Sequence, residues 1–162
     1  MKFYLTILFT FLTVALLAQN YKLEGNEVKV SKPVLFEPGT AELKPESNAA
    51  LEIIRQYLAA KSYISQLRIE SHTEKSGDAD YDQNLSQKRA MAVCSRLVKL
   101  GVDCKRLVAA GFGDTKPVAD NNTAAGRAKN QRVNFVNAAL NGKPIGGMQA
   151  DGGGSIAGDP CN

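Results

Sequence analysis

The sequence predicts an α+β domain, a two-layer sandwich with the order β-α-β-α-β-α-β and helices packed on one face of a mixed four-stranded sheet. Segments in which apolar and polar residues alternate, as in half-buried strands, are separated by segments with an apolar residue every three or four positions, as in amphipathic helices. With 162 residues, of which 44% are hydrophobic, the chain has room for one such domain and short extensions.

The first strand and the first helix are predicted within residues 28–61. Apolar side chains at even spacing predict the strand, and they belong to Val28, Val30, Val34 and Phe36. The turn at 37–39 ends it, and Pro45 suits the first turn of a helix because its missing N–H is not needed there. Apolar residues at i, i+3 and i+7 from Leu51 give this helix one apolar face up to about Lys61.

The second strand and helix follow the same two patterns. Leu67 and Ile69 alternate with charged residues, which predicts a strand leading to His72. Two aspartates then precede a helix, where negative charge is favoured by the exposed N–H groups. The apolar stripe of this helix continues until Gly101 stops it.

The last three elements are shorter. Residues 107–113 are predicted to form the third strand, and a polar turn follows at 120–123. A short helix from 124 to about 130 then leads into the final strand at 132–137.

Residues 1–19 are predicted to be a secretory signal peptide. Lys2 is followed by an apolar run that ends at Ala18, and this run is shorter than the ~20 residues needed to span a bilayer. The alternative is an uncleaved membrane anchor, because no clean pair of small residues precedes a cleavage point. The polar residues 20–27 are predicted to be a linker to a domain at 28–140.

The Gly-rich residues 141–162 are predicted to be a flexible tail, because they contain few apolar anchors. The alternative is a docking segment that becomes ordered on a partner. Cys94 and Cys104 are candidates for a disulfide in an oxidising compartment, and the alternative is two semi-buried thiols. Cys161 is then free, paired between molecules, or competing for one of these partners.

Composition argues against several functions. The formal net charge of +4 would suit nucleic acid, but the basic residues are scattered and do not interleave with aromatic residues. We therefore expect no nucleic-acid partner. The single histidine, His72, has no nucleophile motif beside it and no clustered thiols, so we expect a hydrogen-bonded strand-end residue, no catalytic residue, no metal site and no cofactor.

The functional signal is concentrated between residues 71 and 90. Residues 71–74 read Ser-His-Thr-Glu, and residues 82–90 read Asp-Gln-Asn-Leu-Ser-Gln-Lys-Arg-Ala. This spacing places a carboxylate at the end of a strand and an arginine inside the following helix, with both charges facing one groove. The polar segment 126–133 is a candidate for a second wall of that groove.

Together these motifs resemble the OmpA-like domain, the peptidoglycan-binding module also found in Pal lipoproteins and the flagellar stator protein MotB. The resemblance covers roughly residues 28–137. In that family a strand ending His-Thr-Asp leads to a helix carrying Asn-x-x-Leu-Ser-x-x-Arg-Ala, and the Asp and Arg grip the ammonium and carboxylate of diaminopimelate in the peptidoglycan stem peptide. The resemblance implies an exported, non-catalytic periplasmic protein that binds peptidoglycan non-covalently and is associated with the cell wall or outer membrane.

Carried over by position, the resemblance implies that Glu74 receives the ammonium and Arg89 the carboxylate. A zwitterion needs one acceptor-only group and one fork of fixed donors, which arginine offers and lysine does not. The implied ligand-binding residues are Thr73, Glu74, Asp82, Arg89 and Gln131, supported by His72, Leu85, Ser86, Arg127 and Arg132.

Four positions depart from the family pattern. Ser71 replaces a Gly, Glu74 an Asp, Asp82 an Asn, and Gln131 the first Arg of an Asn-Arg-Arg sequence. The extra methylene of Glu74 is expected to displace the carboxylate by about 1 Å. Asp82 is expected to compete for Arg89 and to repel a ligand carboxylate, and Gln131 to lose a charge-assisted contact of roughly 1.5–3 kcal/mol.

The sequence is also consistent with two alternatives to peptidoglycan binding. Glu74 and Arg89 either pair with each other or cap the second helix in a domain that binds nothing, or the altered groove or the Gly-rich tail engages another envelope protein, such as an outer-membrane protein. No cysteine precedes Cys94, so the lipid-attachment cysteine of Pal-type lipoproteins is missing. A small cell-wall hydrolase would need a nucleophile, a metal-ligand set or an acid pair, and the sequence offers none of these convincingly.

Overall fold

The computed structural model describes residues 20–146 and 152–162, so the predicted signal peptide at 1–19 lies outside the described residues. The helices are α1 (Ser47–Ala60), α2 (Ala79–Lys99) and α3 (Ala124–Asn130), with a 3₁₀ turn at Cys104–Arg106. The strands are β1 (Tyr21–Glu24), β2 (Glu27–Val30), β3 (Ile64–His72), β4 (Leu107–Gly111), β5 (Arg132–Leu140), β6 (Lys143–Pro144) and β7 (Ser155–Ile156). In these ranges no helix combines the length and the apolarity that crossing a bilayer requires.

The strands in the described ranges form one mixed, open sheet in the order β1-β2-β5-β3-β4-β7, with β6 paired to the end of β5. Strands β3 and β4 run parallel, and the other neighbouring pairs are antiparallel. The four predicted strands are the central ones, β2, β5, β3 and β4. The predicted α+β class with a mixed sheet is confirmed, and three short strands extend the sheet.

Helices α1 and α2 cover one face of this sheet. The alternation in β3 turns Leu67 and Ile69 towards the helices, and both side chains are fully buried. They belong to one apolar cluster with residues from both helices, including Leu51, Ile54, Leu58, Val93 and Leu97. Burial of these side chains is the main stabilising contribution, at about 25 cal/mol for each Å² of apolar surface removed from water.

The first predicted strand is shorter than the alternation suggested. Strand β2 ends at Val30, and the chain beyond it forms only an isolated bridge between Phe36 and Leu43. Pro33 has no N–H to donate to a neighbouring strand, so pairing is not continued through it. The loop at 35–43 is instead tied to the start of α1, where the hydroxyl of Ser47 accepts from the N–H of Leu35 and donates to its carbonyl, both at 2.8 Å.

The predicted linker at 20–27 was wrong, because these residues enter a β-hairpin. Strand β1 pairs with β2 across a turn at Gly25, whose φ of +60° suits glycine. The polar composition misled the prediction, since β1 lies at the edge of the sheet and leaves most of its side chains exposed. Its anchor is Tyr21, whose ring contacts the buried ring of Tyr57 edge-on at 5.0 Å between centroids.

The flexible-tail prediction was wrong for residues 152–162, because they return to the sheet. Strand β7 pairs antiparallel with β4, and the N–H of Ala157 donates to the carbonyl of Ala109 at 2.9 Å. The segment docks on the domain itself, and its end is held by a disulfide between Cys161 and Cys104.

The predicted Cys94–Cys104 disulfide was therefore wrong. Cys94 lies on the apolar stripe of α2 and is fully buried in the core as a free thiol. Burial raises the pKa of this thiol to about 12, so it stays protonated. A bridge across 57 residues of sequence depends on the return of the chain to β4, which local spacing does not reveal.

We predict that Cys161→Ser lowers the free energy of unfolding by about 2–4 kcal/mol, because the disulfide restricts the unfolded chain over a long loop. Urea denaturation of the oxidised protein measures this difference. Adding a reductant should bring the wild type to the stability of Cys161→Ser and leave the variant unchanged. Equal stability of the two oxidised proteins would contradict the pairing.

Candidate functional site

A cavity of about 260 Å³ lies between the end of β3, the first turns of α2 and the loop at 35–43. All five residues predicted to bind ligand line it, namely Thr73, Glu74, Asp82, Arg89 and Gln131. The structure therefore brings together side chains that are up to 58 positions apart in sequence. Phe36 and Tyr81 add aromatic walls.

The end of β4 holds α2 in place beside this cavity. The hydroxyl of Ser86 is fully buried, accepts from the N–H of Gly113 at 2.8 Å and donates to the carbonyl of Gln83 at 2.8 Å. The N–H of Thr73 donates to the carbonyl of Gly113 at 2.9 Å. A side chain at Gly111 would collide with the backbone of Gln87, so glycine permits the close approach of β4 and α2.

Glu74 is held by two donors from α3 and the residue that follows it. Its Oε1 accepts from Nε2 of Gln131 at 2.8 Å, and its Oε2 lies 3.1 Å from Nε of Arg127. The direct Glu74–Arg89 ion pair that the sequence left open is not formed; Arg127 is the counter-ion. About a third of each of these two side chains is exposed, so the pair contributes little to stability by itself.

Arg89 is almost entirely buried, with 3% of its surface exposed. Its Nε donates to the carbonyl of Thr40 at 2.8 Å, its Nη1 donates to Oε1 of Gln131 at 3.4 Å, and its guanidinium lies 4.9 Å from the ring centroid of Phe36. Burial lowers the pKa of Arg89 from its usual value, although an arginine side chain remains charged in proteins. The residues that the structure describes make no hydrogen bond to Nη2, which leaves that donor available to a ligand.

Gln131 links the two charged residues of the site. Its amide oxygen accepts from Arg89 while its amide nitrogen donates to Glu74. An arginine at this position has no acceptor and could not bridge them in this way. The departure at position 131 thus replaces a charged contact with a neutral bridge, rather than only removing a contact as the sequence suggested.

The expected contact between Asp82 and Arg89 is not formed. Asp82 is buried at the start of α2, and its Oδ2 accepts from the N–H of Ser76 at 2.9 Å. A carboxylate is stabilised there by the helix N-terminus as well as by this hydrogen bond. Asp82 therefore holds the loop between β3 and α2 and adds a second negative charge to the cavity.

His72 was expected to be hydrogen-bonded, but neither of its ring nitrogens has a hydrogen-bond partner among the described residues. Its ring is buried and stacks on Phe112 at 5.1 Å between centroids. The nearby carboxylate of Glu70 lies 3.8 Å from Nε2, which is too long for a hydrogen bond. Burial lowers the pKa of His72, and Glu70 opposes this shift only in part.

The remaining supporting residues have separate structural roles. Leu85 lines the cavity, Arg127 donates to the carbonyl of Asn121 at 3.1 Å, and Arg132 donates to the carbonyls of Asn130 and Lys116 at 3.3 and 3.0 Å. These contacts fix the ends of α3 and the loop that precedes it.

Sequence reasoning missed three contributors to the site. Thr40 acts through its backbone carbonyl, which no side-chain motif reveals, and Phe36 was assigned only to a strand. Asn130 is fully buried, and its side chain accepts from the N–H groups of Val118 and Ala119 at 2.8 and 3.0 Å. This asparagine matches the first position of the Asn-Arg-Arg sequence of the family pattern, but the match did not reveal its role as a loop anchor.

Comparison with known protein families finds a match over most of the domain. A model of the OmpA family matches residues 35–131. The outer-membrane lipoprotein YfiB of Pseudomonas aeruginosa is 39% identical over 113 residues, covering 70% of this chain and 67% of that protein. Outer membrane porin F of Pseudomonas fluorescens is 39% identical over 106 residues, but the chain spans only 32% of the porin's length.

Solved structures of related proteins have the same fold. The cell wall anchor of the T6SS from Pseudomonas aeruginosa superimposes with a TM-score of 0.60 and 31% identity, covering 75% of this chain and 90% of that one. The peptidoglycan-associated lipoprotein from Burkholderia pseudomallei gives 0.58 and 32%, covering 65% and 88%. The periplasmic domain of Helicobacter pylori MotB, at 21% identity and a TM-score of 0.60, is similar in fold alone.

We predict that Ser86→Ala lowers the free energy of unfolding by about 1–3 kcal/mol, because it leaves the buried N–H of Gly113 without an acceptor. Ser65→Ala is the matched control, since its hydroxyl accepts from the N–H of Gly142 at an exposed position. Water can replace that acceptor, so the control should change stability by no more than about 0.5 kcal/mol. Equal losses in urea denaturation would contradict the role given to Ser86.

Proposed function

This chain belongs to the OmpA family, and from that premise we propose that it is an exported, non-catalytic envelope protein that binds peptidoglycan non-covalently. The observation that carries the proposal is the single cavity lined by both Glu74 and Arg89, which are not paired with each other. Two of the related structures support it by name, since one is a peptidoglycan-associated lipoprotein and the other a cell wall anchor.

The ligand that fits these charges is the zwitterionic end of diaminopimelate in the stem peptide. Its carboxylate is placed against Nη2 of Arg89, the donor that no described residue uses. Its ammonium is placed against Glu74, because an ionised carboxylate has about four acceptor positions and only two are used by Gln131 and Arg127. Asp82 lines the same cavity and adds a second negative charge that favours the ammonium.

Two features support binding over catalysis, and a third supports export. His72 is buried against Phe112 and makes no hydrogen bond to a hydroxyl or thiol of the described residues, so it activates no nucleophile among them. The thiol of Cys94 is buried and protonated, so it is not an activated nucleophile. The disulfide between Cys104 and Cys161 suits an oxidising compartment, which agrees with export to the periplasm and association with the outer membrane or cell wall.

We predict that Arg89→Lys reduces co-sedimentation with diaminopimelate-type peptidoglycan at least about tenfold, because lysine keeps the charge but loses the planar fork of donors. The matched control is Arg96→Lys, which alters an arginine on the same helix that contacts Asn48 outside the cavity. Arg96→Lys should bind like the wild type. Unchanged binding by a folded Arg89→Lys variant would mean that the groove is not the site.

We predict that Asp82→Asn weakens binding about two- to fivefold, since one charge at a partly screened site contributes roughly 0.5–1 kcal/mol. The sequence alone suggested the opposite, because it placed Asp82 against Arg89. Asparagine can still accept from Ser76, so the loop should remain in place. Stronger binding of Asp82→Asn in the same assay would mean that repulsion of the ligand carboxylate dominates.

If a correctly folded wild type does not bind peptidoglycan at all, the proposed function fails. The groove would then be a scaffold surface for another envelope protein. Cross-linking from Tyr81, which is 46% exposed at the rim, would identify that protein.

A further inference from the structure

A second cavity, of about 200 Å³, lies directly beside the first. Phe36, Arg89 and Gln131 line both cavities and form the wall between them. Beyond that wall the second cavity is lined by Val34, Leu35, His72, Ala128 and Arg132. A ligand held at Arg89 in the first cavity therefore has a second space within reach on the far side of the guanidinium.

The two cavities differ in charge. The first contains the carboxylates of Glu74 and Asp82, whereas the described residues that line the second include two arginines, Arg89 and Arg132, and no carboxylate. Within the part of the chain that the structure describes, the hydrogen bonds of Arg132 go to backbone carbonyls, which are neutral. Glu70 precedes His72 on β3 and its carboxylate lies 3.8 Å from Nε2 of His72, but it does not line the cavity and is already paired with Arg68 at 2.6 Å. The second cavity is therefore suited to an anion.

A buried polar group supports a ligand in this second space. His72 is 2% exposed, lines the cavity, and has no hydrogen-bond partner on either ring nitrogen among the described residues. Leaving such a group unpaired is unfavourable, and a bound carboxylate would accept from its N–H. Val34 and Ala128 provide apolar wall on the same cavity, which fits a short side chain such as a methyl group.

We propose that the second cavity binds the free terminal carboxylate and methyl group of the D-alanine that follows diaminopimelate in the tetrapeptide stem. This inference rests on the proposed function, because it requires diaminopimelate in the first cavity. The ligand charges then follow the order of the protein charges: ammonium at Glu74, carboxylate at Arg89, and second carboxylate at Arg132. The site would thus select stem peptides by their free C-terminus.

Isothermal titration with two ligands tests this selectivity. One is the soluble disaccharide tetrapeptide with a free D-alanine carboxylate, and the other is the same molecule with a C-terminal carboxamide. The wild type should bind the acid about tenfold more tightly than the amide or better, because a hydrogen-bonded charge is replaced by a neutral group of the same size. Equal affinities for the two ligands would overturn the inference while leaving the proposed function intact.

A matched pair of substitutions on α3 tests whether the preference for the acid over the amide arises in the second cavity. Ala128→Leu fills the space from an exposed helical position, and it should remove the preference for the acid. Ala125→Leu makes the same change at another exposed position of α3 that lines neither cavity, and it should keep the preference. A preference that survives Ala128→Leu would overturn the inference. Failure of both ligands to bind the wild type would overturn the proposed function as well.

Discussion

The site depends on a guanidinium that is buried with no carboxylate of the described residues in contact with it. Arg89 is held by the carbonyl of Thr40, the amide oxygen of Gln131 and the ring of Phe36, each of which is neutral. A buried charge is unfavourable unless it is paired or well hydrogen-bonded. The loop at 35–43, the start of α2 and the end of α3 must all be in place to satisfy it, and in the proposed complex the ligand carboxylate supplies the negative charge in contact with it.

The separation of Glu74 from Arg89 is the second condition for recognising a zwitterion. If the two residues formed a direct ion pair, each would neutralise the other and neither would favour a ligand. Gln131 prevents this by accepting from one and donating to the other, and Arg127 balances Glu74 from the outer side. The two charges are therefore bridged by a neutral amide instead of paired directly, and both line a cavity of about 260 Å³.

The sequence predicted the central fold because the hydrophobic periodicity is clearest in the helices and strands whose side chains form the core. The stripe of α2 and the alternation in β3 led directly to the core, and the motif spacing placed Glu74 and Arg89 at one groove. Contacts made by long-range return of the chain were not predictable. The Cys104–Cys161 disulfide and the edge strand β1 depend on which distant surface a polar segment meets, and composition alone made both segments look flexible.

The contacts of Asp82 within the site were not predicted from the sequence for a related reason. The direction of a side chain, rather than its charge, decides whether Asp82 faces Arg89 or the backbone of Ser76. Two-dimensional NMR of the guanidinium Nε–H of Arg89 and the side-chain amide of Gln131 tests the central claim most directly. On titration with a diaminopimelate-containing muropeptide, both signals should shift together and saturate at the same ligand concentration. Saturable binding that leaves both signals unmoved would contradict the account.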